Sequence, residues 1–325
     1  MISKTIHHVP NGRGWRLALR RVRAPKLVPG RRPVVIVPGY GMNSFIFGFH
    51  PRGASLEEYL AEKGLDVWAV DLRAQGESIR DGGSMRFDMV DLALTDLRLA
   101  IDHVAARAEG GTSRVDVLGA SLGATLMYML AARGPSVHLG SLVAIGGPLR
   151  WIDVHPVIRW LARSPEVIGM VPFPETRRLA QRALPLILRF PKVLEIYVHT
   201  DIVDTRQMST MLRTVETPSR HVNRQIAHWI LDRDLKVDGI NVTEALGRVV
   251  LPLLCVVANA DGIVPPSTAL SGYHAIGSVY KDVLEVGDDR MPFAHADLFV
   301  SNDAHELVFE PIALWLERMA NVTLE

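Results

Sequence analysis

The chain has 325 residues, of which 48% are hydrophobic and 22% are charged, and its formal net charge is +1. This composition is typical of a soluble globular protein and argues against a strong polyelectrolyte partner such as nucleic acid. No apolar run approaches the roughly 18 residues needed to span a bilayer, and no signal-peptide core follows the N-terminus. The only cysteine, Cys255, lies in an apolar run. We therefore expect no integral membrane span and a reducing, cytoplasmic location.

The first 32 residues are unusually basic, with nine Lys or Arg and no Asp or Glu. One interpretation is a basic arm for anionic lipid or nucleic acid. However, Asn11-Gly12 is a hairpin turn signal, and the residues from Trp15 to Leu19 alternate as a strand does. The sequence thus favours an edge hairpin whose arginines lie on its exposed face.

From residue 33 the chain alternates between strand-like and helix-like segments. Apolar runs at 33–38, 65–70, 114–118 and 142–145 predict strands buried on both faces. Helical patterns separate them, and Ser55 and Glu58 have the spacing of a capping box. Glycines at 110, 111 and 134 are expected to end two of the helices. This alternation predicts an α/β fold with a doubly wound, mostly parallel sheet.

Residues 149–247 have a different pattern, with tryptophans, prolines and amphipathic helical stretches but no convincing strand. The strand pattern returns at 251–257 and 283–286, and a helix is expected around 303–320. We therefore predict a core of residues 1–148 and 248–325, with a helical cap or lid of residues 149–247 inserted into it.

The most specific motif is Gly119-Ala-Ser121-Leu-Gly123, which stands between an apolar strand and a helix. This order is that of a nucleophile elbow, a sharp turn that lifts a serine clear of the sheet. The first N–H groups of the following helix then face the oxygen on which negative charge develops. Ser121 is therefore the candidate nucleophile, and the N–H of Leu122 is a candidate oxyanion donor.

The motifs together resemble the α/β-hydrolase superfamily. Val37-Pro-Gly39-Tyr40-Gly41, the run from Asp71 to Ser78, the elbow, Asp261 and His295 follow one another over nearly the whole chain. The ending His295-Ala-Asp297-Leu-Phe and the segment Gln225–Trp229 are similar to acid lipases and polyhydroxyalkanoate synthases. The resemblance implies the α/β-hydrolase fold and a catalytic triad in the order Ser, acid, His.

The acid and the base can be assigned within that order. Asp261 follows a late strand and is followed by Gly262, Pro265 and Pro266, which suits a rigid loop. Of the twelve histidines only His274, His295 and His305 come after Asp261 in the chain. His274 and His305 fall in helical stretches. His295 lies in a loop after the last strand, where the superfamily keeps its base.

The second oxyanion donor is placed by the resemblance at the backbone N–H of Tyr40. The superfamily often has His-Gly before this residue, whereas this chain has Pro38-Gly39. The change removes a side chain that helps to fix the loop but leaves the Tyr40 N–H in place.

The predicted activity is hydrolysis of carboxylic esters, with a hydrophobic acyl group, through an acyl-enzyme on Ser121. Acyl transfer or thioester hydrolysis of the polyhydroxyalkanoate synthase type is an alternative, although those enzymes use cysteine in the elbow. A non-catalytic ligand-binding protein of the same fold is a third interpretation. No dinucleotide, phosphate-loop or zinc motif is present, so we predict a small-molecule acyl ester partner and no cofactor or metal.

Overall fold

A mixed sheet is formed by the apolar runs that the sequence predicted to be strands. The computed structural model describes residues 1–109, 113–133, 138–166, 175–187, 189–320 and 322, so the expected helix ends at Gly110, Gly111 and Gly134 lie outside it. The strands are β1 Ser3–Pro10, β2 Trp15–Arg23, β3 Val34–Val37, β4 Val67–Asp71, β5 Ile79–Arg80, β6 Val115–Ala120, β7 Leu139–Ile145, β8 Lys236–Val237, β9 Ile240–Asn241, β10 Leu253–Ala258 and β11 Lys281–Val286.

The strand order of the large sheet is β1-β2-β4-β3-β6-β7-β10-β11, with β5 paired to β2. Strand β2 runs antiparallel to β1 and β4. The six strands β4-β3-β6-β7-β10-β11 are parallel to one another. The carboxyl ends of these parallel strands therefore meet at one edge of the sheet, where ligands bind in open α/β folds. The predicted α/β class with a mostly parallel sheet is confirmed.

Helices connect the strands and cover the sheet. They are α1 Leu56–Glu62, α2 Arg98–Ala105, α3 Leu122–Ala132, α4 Pro156–Ala162, α5 Thr176–Ile187, α6 Pro191–Leu194, α7 Met208–Met211, α8 Arg220–Asp232, α9 Val242–Leu246, α10 Pro266–Ala269, α11 Ser271–Ala275, α12 Asp297–Val300 and α13 Glu310–Ala320. Short π-helical segments, Asp91–Leu97 and His305–Phe309, lead into α2 and α13. At the start of α1 the backbone N–H of Ser55 donates to the Glu58 carboxylate at 2.9 Å, as the capping-box spacing predicted.

Two apolar layers lie on opposite faces of the sheet. Val35 and Val117 belong to one layer, and their chain neighbours Ile36 and Leu118 belong to the other. Successive side chains of a strand point to opposite faces, so strands covered on both sides must be apolar at every position. This explains why Val34–Val37 are all hydrophobic and why β6 is apolar except at Asp116, whose buried carboxyl group is paired with Arg32.

The segment between β7 and β10 contains α4 to α9 and also a small hairpin, β8–β9. The expectation of no strand in this region is therefore wrong. Asp238 and Gly239 form its turn with φ of +48° and +77°. Positive φ at both central residues is the geometry of a tight hairpin turn. Each strand has only two residues, which is too short for an alternating pattern to be visible in the sequence.

The basic N-terminal residues form the predicted hairpin at the sheet edge, β1 with β2, but of the arginines in residues 1–32 only Arg13 and Arg16 are exposed. Arg20 binds the buried Glu57 at 2.9 Å, and Arg32, 7% exposed, binds the buried Asp116 at 2.7 Å. For Arg20 the reason is that β2 lies inside the sheet, between β1 and β4, where this side chain reaches Glu57 of α1. The local excess of positive charge is balanced by acids from later in the chain.

Candidate active site

Ser121 stands directly after β6 and caps α3, with φ of 51° and ψ of −121°. A positive φ is uncommon for a residue other than glycine and marks local backbone strain. The flanking glycines admit this turn: a Cβ on Gly119 would lie 2.4 Å from Cα of Ala124, and one on Gly123 would lie 2.4 Å from the carbonyl oxygen of Val37. The sharp strand-to-helix turn that the sequence predicted is therefore present.

His295 and Asp261 form a buried pair at the carboxyl edge of the sheet. Nδ1 of His295 lies 2.6 Å from Oδ2 of Asp261, and the two residues are only 5% and 4% exposed. Oδ1 of Asp261 accepts hydrogen bonds of 2.8 Å from the N–H groups of Ile263 and Val264. A carboxylate held this way fixes the proton on Nδ1, which leaves Nε2 free to accept one.

The end of β7 lies between this pair and the serine. The Ser121 N–H donates to the carbonyl oxygen of Ile145 at 2.8 Å. A Cβ on the next residue, Gly146, would lie 3.0 Å from Cε1 of His295 and 3.5 Å from Oδ2 of Asp261. The structure thus brings Ser121, Asp261 and His295 together around the carboxyl end of β7. Within the described ranges the Ser121 hydroxyl forms no hydrogen bond, and such contacts are often long before substrate binds.

The loop after β3 passes over the serine. A Cβ on Gly39 would lie 2.9 Å from Cβ and 3.5 Å from Oγ of Ser121. Leu122 is the first residue of α3, so its N–H has no acceptor within the helix. In the part of the chain that the structure describes, neither this N–H nor that of Tyr40 donates a hydrogen bond. The Tyr40 hydroxyl donates to Oδ1 of Asn223 at 2.7 Å.

The remaining late histidines lie elsewhere. His305 Nε2 is 2.7 Å from the carbonyl oxygen of Ala54, and its ring packs against that of His50. His274 lies in α11. Among the described residues no three His, Cys, Asp or Glu side chains are grouped so that they could hold a metal ion.

Sequence reasoning missed a second buried acid beside the site, Asp297. Its side chain accepts hydrogen bonds from the N–H of Ala294 at 2.7 Å and of His199 at 3.1 Å, and it lies 3.0 Å from Nδ1 of the same histidine. Burial raises the pKa of Asp297 to about 6. The only sequence signal was the spacing His295-x-Asp297, and the partner, His199, is 98 residues away.

A small cavity next to the serine adjoins a larger groove. A cavity of about 40 Å³ is lined by Gly39, Tyr40 and Leu122 among others. It shares Phe87 and Pro218 with a groove of about 720 Å³.

No helix in the described part of the chain is long and apolar enough to cross a bilayer.

Comparisons with known proteins agree with this architecture. The family model Hydrolase_4, described as serine aminopeptidase S33, matches residues 29–285. A search of curated proteins gives no match. Among solved structures, the monoglyceride lipase of Saccharomyces cerevisiae is 13% identical with a TM-score of 0.66, covering 100% of this chain and 96% of that one.

Two further structures are similar over nearly their whole length. An esterase of Thermogutta terrifontis is 18% identical with a TM-score of 0.62, covering 99% of this chain and 100% of that one. The monoacylglycerol lipase of Paleococcus ferrophilus is 19% identical with a TM-score of 0.61, covering 93% of this chain and 99% of that one. At these identities the likeness establishes the shared fold and confirms the predicted fold class.

Proposed function

Because the chain belongs to the Hydrolase_4 family of α/β-hydrolases, described as serine aminopeptidase S33, we propose that it is a serine hydrolase acting through Ser121, His295 and Asp261. One observation carries the proposal: the buried His295–Asp261 pair and Ser121, in its strained elbow, both lie beside the carboxyl end of β7. A serine hydroxyl is a poor nucleophile until a positioned base removes its proton. The pair supplies such a base.

The chemistry follows from these positions. Oγ of Ser121 attacks the carbonyl carbon while Nε2 of His295 takes its proton, and Asp261 stabilises the resulting imidazolium. The N–H groups of Leu122 and Tyr40 stabilise the oxyanion. The bond to the leaving alcohol then breaks, and the alcohol takes the proton from His295. Water attacks the acyl-enzyme in the same way, which releases the acid and restores Ser121.

We propose a carboxylic ester with a hydrophobic acyl group as the substrate class. The structurally similar proteins are named as esterases and lipases. The cavity beside Leu122 has apolar lining from Met42, Phe87 and Leu92 next to the charged Arg73 and Glu216, and its volume of about 40 Å³ admits only the first atoms of an acyl chain. Apolar lining favours a hydrocarbon chain because burying it removes nonpolar surface from water.

The segment 149–247 is proposed to act as a cap, because it contacts the loop that holds the oxyanion donor. The N–H of Glu216 donates to the carbonyl oxygen of Gly41 at 2.8 Å, and Asn223 accepts from the Tyr40 hydroxyl.

A cytoplasmic location is also a proposal, which the buried free thiol of Cys255 supports because such a thiol needs no oxidising compartment. Recovery of the protein outside the cytoplasm in cell fractionation would contradict it.

A second candidate is amide hydrolysis, which the description of the family model favours. One triad serves esters, thioesters and amides alike, so aminoacyl p-nitroanilides and acyl-CoA thioesters belong in the same panel. Acyl transfer would show as alcoholysis outpacing hydrolysis when an alcohol acceptor is added. A non-catalytic binding protein would be stabilised by a ligand without turning over any member of the panel.

The test is hydrolysis of p-nitrophenyl esters from acetate to palmitate, together with labelling by a fluorophosphonate. We expect wild type to be labelled and to turn over esters, and Ser121→Ala to lose both. Ser113→Ala, an exposed serine just before β6, is the matched control and should keep both. Labelling that persists in Ser121→Ala would overturn the assignment of the nucleophile.

A further inference from the structure

A four-residue segment of the insertion, Ile196–His199, contacts the loops of Asp261 and His295 and the oxyanion loop after β3; we call it the strap. The first contact is with the loop of Asp261. The N–H of Gly262 donates to the carbonyl oxygen of Ile196 at 3.2 Å. A Cβ on Gly262 would lie 2.8 Å from Cγ2 and 2.9 Å from Cα of Ile196. Only glycine lets the strap approach the acid loop this closely.

The second contact is with the loop of His295. The N–H of Ala296 donates to the carbonyl oxygen of Tyr197 at 2.8 Å. One residue further on, Asp297 accepts from the backbone N–H of His199 at 3.1 Å and lies 3.0 Å from its Nδ1. Asp297 is fully buried, so these hydrogen bonds replace the water that its carboxyl group has lost.

The third contact joins the strap to the base itself and to the oxyanion loop. The ring of Tyr197 lies 6.1 Å, centroid to centroid, from the ring of His295. Its hydroxyl lies 3.7 Å from Sδ of Met42, two residues after Tyr40. Burial raises the pKa of Tyr197 to about 12, so its phenol is neutral and packs as an apolar ring with one polar end.

We propose that the strap positions His295 for proton transfer and that Asp297 is its anchor, acting as a positioning residue through His199 and Ala294. This inference rests on the proposed function of His295 as the base. Among the described residues, the ring of His295 has one hydrogen-bond partner, Asp261. One hydrogen bond does not fix a ring in space, so the remaining constraint comes from the loop that Asp297 holds. A displacement of about 1 Å at a reacting group can cost on the order of 100-fold in rate.

The first experiment compares Asp297→Asn with Asp116→Asn. Asp116 is also a buried carboxyl group, but it lies at the far end of β6, five residues before Ser121. We expect Asp297→Asn to lower kcat and the rate of fluorophosphonate labelling by roughly 10- to 100-fold with KM almost unchanged, because positioning acts on the chemical step. Asp116→Asn should keep kcat per folded molecule. Equal effects of the two substitutions would reduce Asp297 to a structural role and overturn the proposal.

The second comparison tests the strap side of the contact. His199→Asn keeps an N–H donor near the position of Nδ1, whereas His199→Ala removes it. We expect the asparagine variant to recover most of the kcat that the alanine variant loses. Equal kcat values for wild type and His199→Ala would contradict the role of the strap.

A third readout does not depend on turnover and separates this proposal from the proposed function. The proton between Nδ1 of His295 and Asp261 should give a far-downfield proton resonance, assigned by its absence in His295→Asn. We expect Asp297→Asn to shift or broaden this resonance and Asp116→Asn to leave it unchanged. A resonance unaffected by Asp297→Asn would overturn the positioning role, even if wild type hydrolysed no ester in the panel.

Discussion

Nδ1 of His295 and Oδ2 of Asp261 are 2.6 Å apart although the two residues are separated by 34 positions in the chain. The aspartate is fixed from its other side, because Oδ1 accepts the N–H groups of Ile263 and Val264. Both loops leave adjacent parallel strands, β10 and β11, at the same edge of the sheet. The pair therefore stands on rigid supports, as precise proton transfer requires.

This geometry predicts a large effect of Asp261→Asn on catalysis. An amide in place of the carboxylate favours the wrong imidazole tautomer and cannot stabilise the imidazolium. The loss of kcat should be of the order of 10⁴-fold, as in another serine hydrolase with this substitution. Steady-state kinetics on a short-chain p-nitrophenyl ester would measure it. Asp289→Asn, at an exposed position, should match wild type; a loss shared by both variants would contradict the assignment.

Tyr40→Phe should separate the backbone of Tyr40 from its side chain. The proposed oxyanion donor is the N–H, which the substitution keeps, so kcat should stay within about threefold of wild type. The lost hydrogen bond to Asn223 should lower the free energy of unfolding by about 1 kcal/mol. Kinetics and chemical denaturation measure the two quantities. If kcat fell about 100-fold, the side chain and not the N–H would be the essential part of Tyr40.

The stability effect of Asp297→Asn should depend on pH. The ordinary pKa of this carboxyl group is 3.8, and burial raises it to about 6 in the folded state. Its proton is therefore bound more tightly in the folded than in the unfolded state. The contribution to stability is fully present below about pH 4 and is lost as the pH rises through about 6. Asparagine does not titrate at this pH, so Tm of the variant minus Tm of wild type should increase from pH 4 to pH 8.

Thermal unfolding at several pH values measures this difference. His199 and Tyr197 face position 297 in both wild type and the variant, so subtracting the two curves isolates the carboxyl group and its coupling to His199. A Tm difference that is flat with pH would show that the carboxyl group titrates at its ordinary pKa, and one that falls toward pH 8 would show a lowered pKa; either result would contradict the prediction.

Arg32→Met should strongly destabilise the fold without affecting the site. Arg32 pairs with Asp116 at 2.7 Å, and both side chains are almost fully buried. Removing one partner of a buried ion pair leaves an uncompensated charge and costs roughly 3–5 kcal/mol. Urea denaturation measures the loss. The control is Arg31→Met. The partner of Arg31, Glu317, is half exposed, so this substitution should lower the free energy of unfolding by at most about 1 kcal/mol.

Much of the fold could be read from the chain because its signals are local. The apolar runs at 33–38 and 114–118 predict strands since both faces of the sheet are covered. The glycines around Ser121 predict the elbow since a Cβ at 119 or 123 would collide with the backbone. Ser121, Asp261 and His295 were assigned from the order of motifs, and the structure brings them to one strand end.

Only the tertiary structure decided which residues far apart in the chain are in contact. The exposed face expected for the arginines of residues 1–32 is wrong for Arg20 and Arg32, because Glu57 and Asp116 come from elements whose position against β2 and β3 no local pattern encodes. Asp297 and His199 are 98 residues apart, and nothing near either one marks the other. Sequence periodicity specifies which face of an element is buried; the partner buried against it depends on how the whole sheet and its insertion pack.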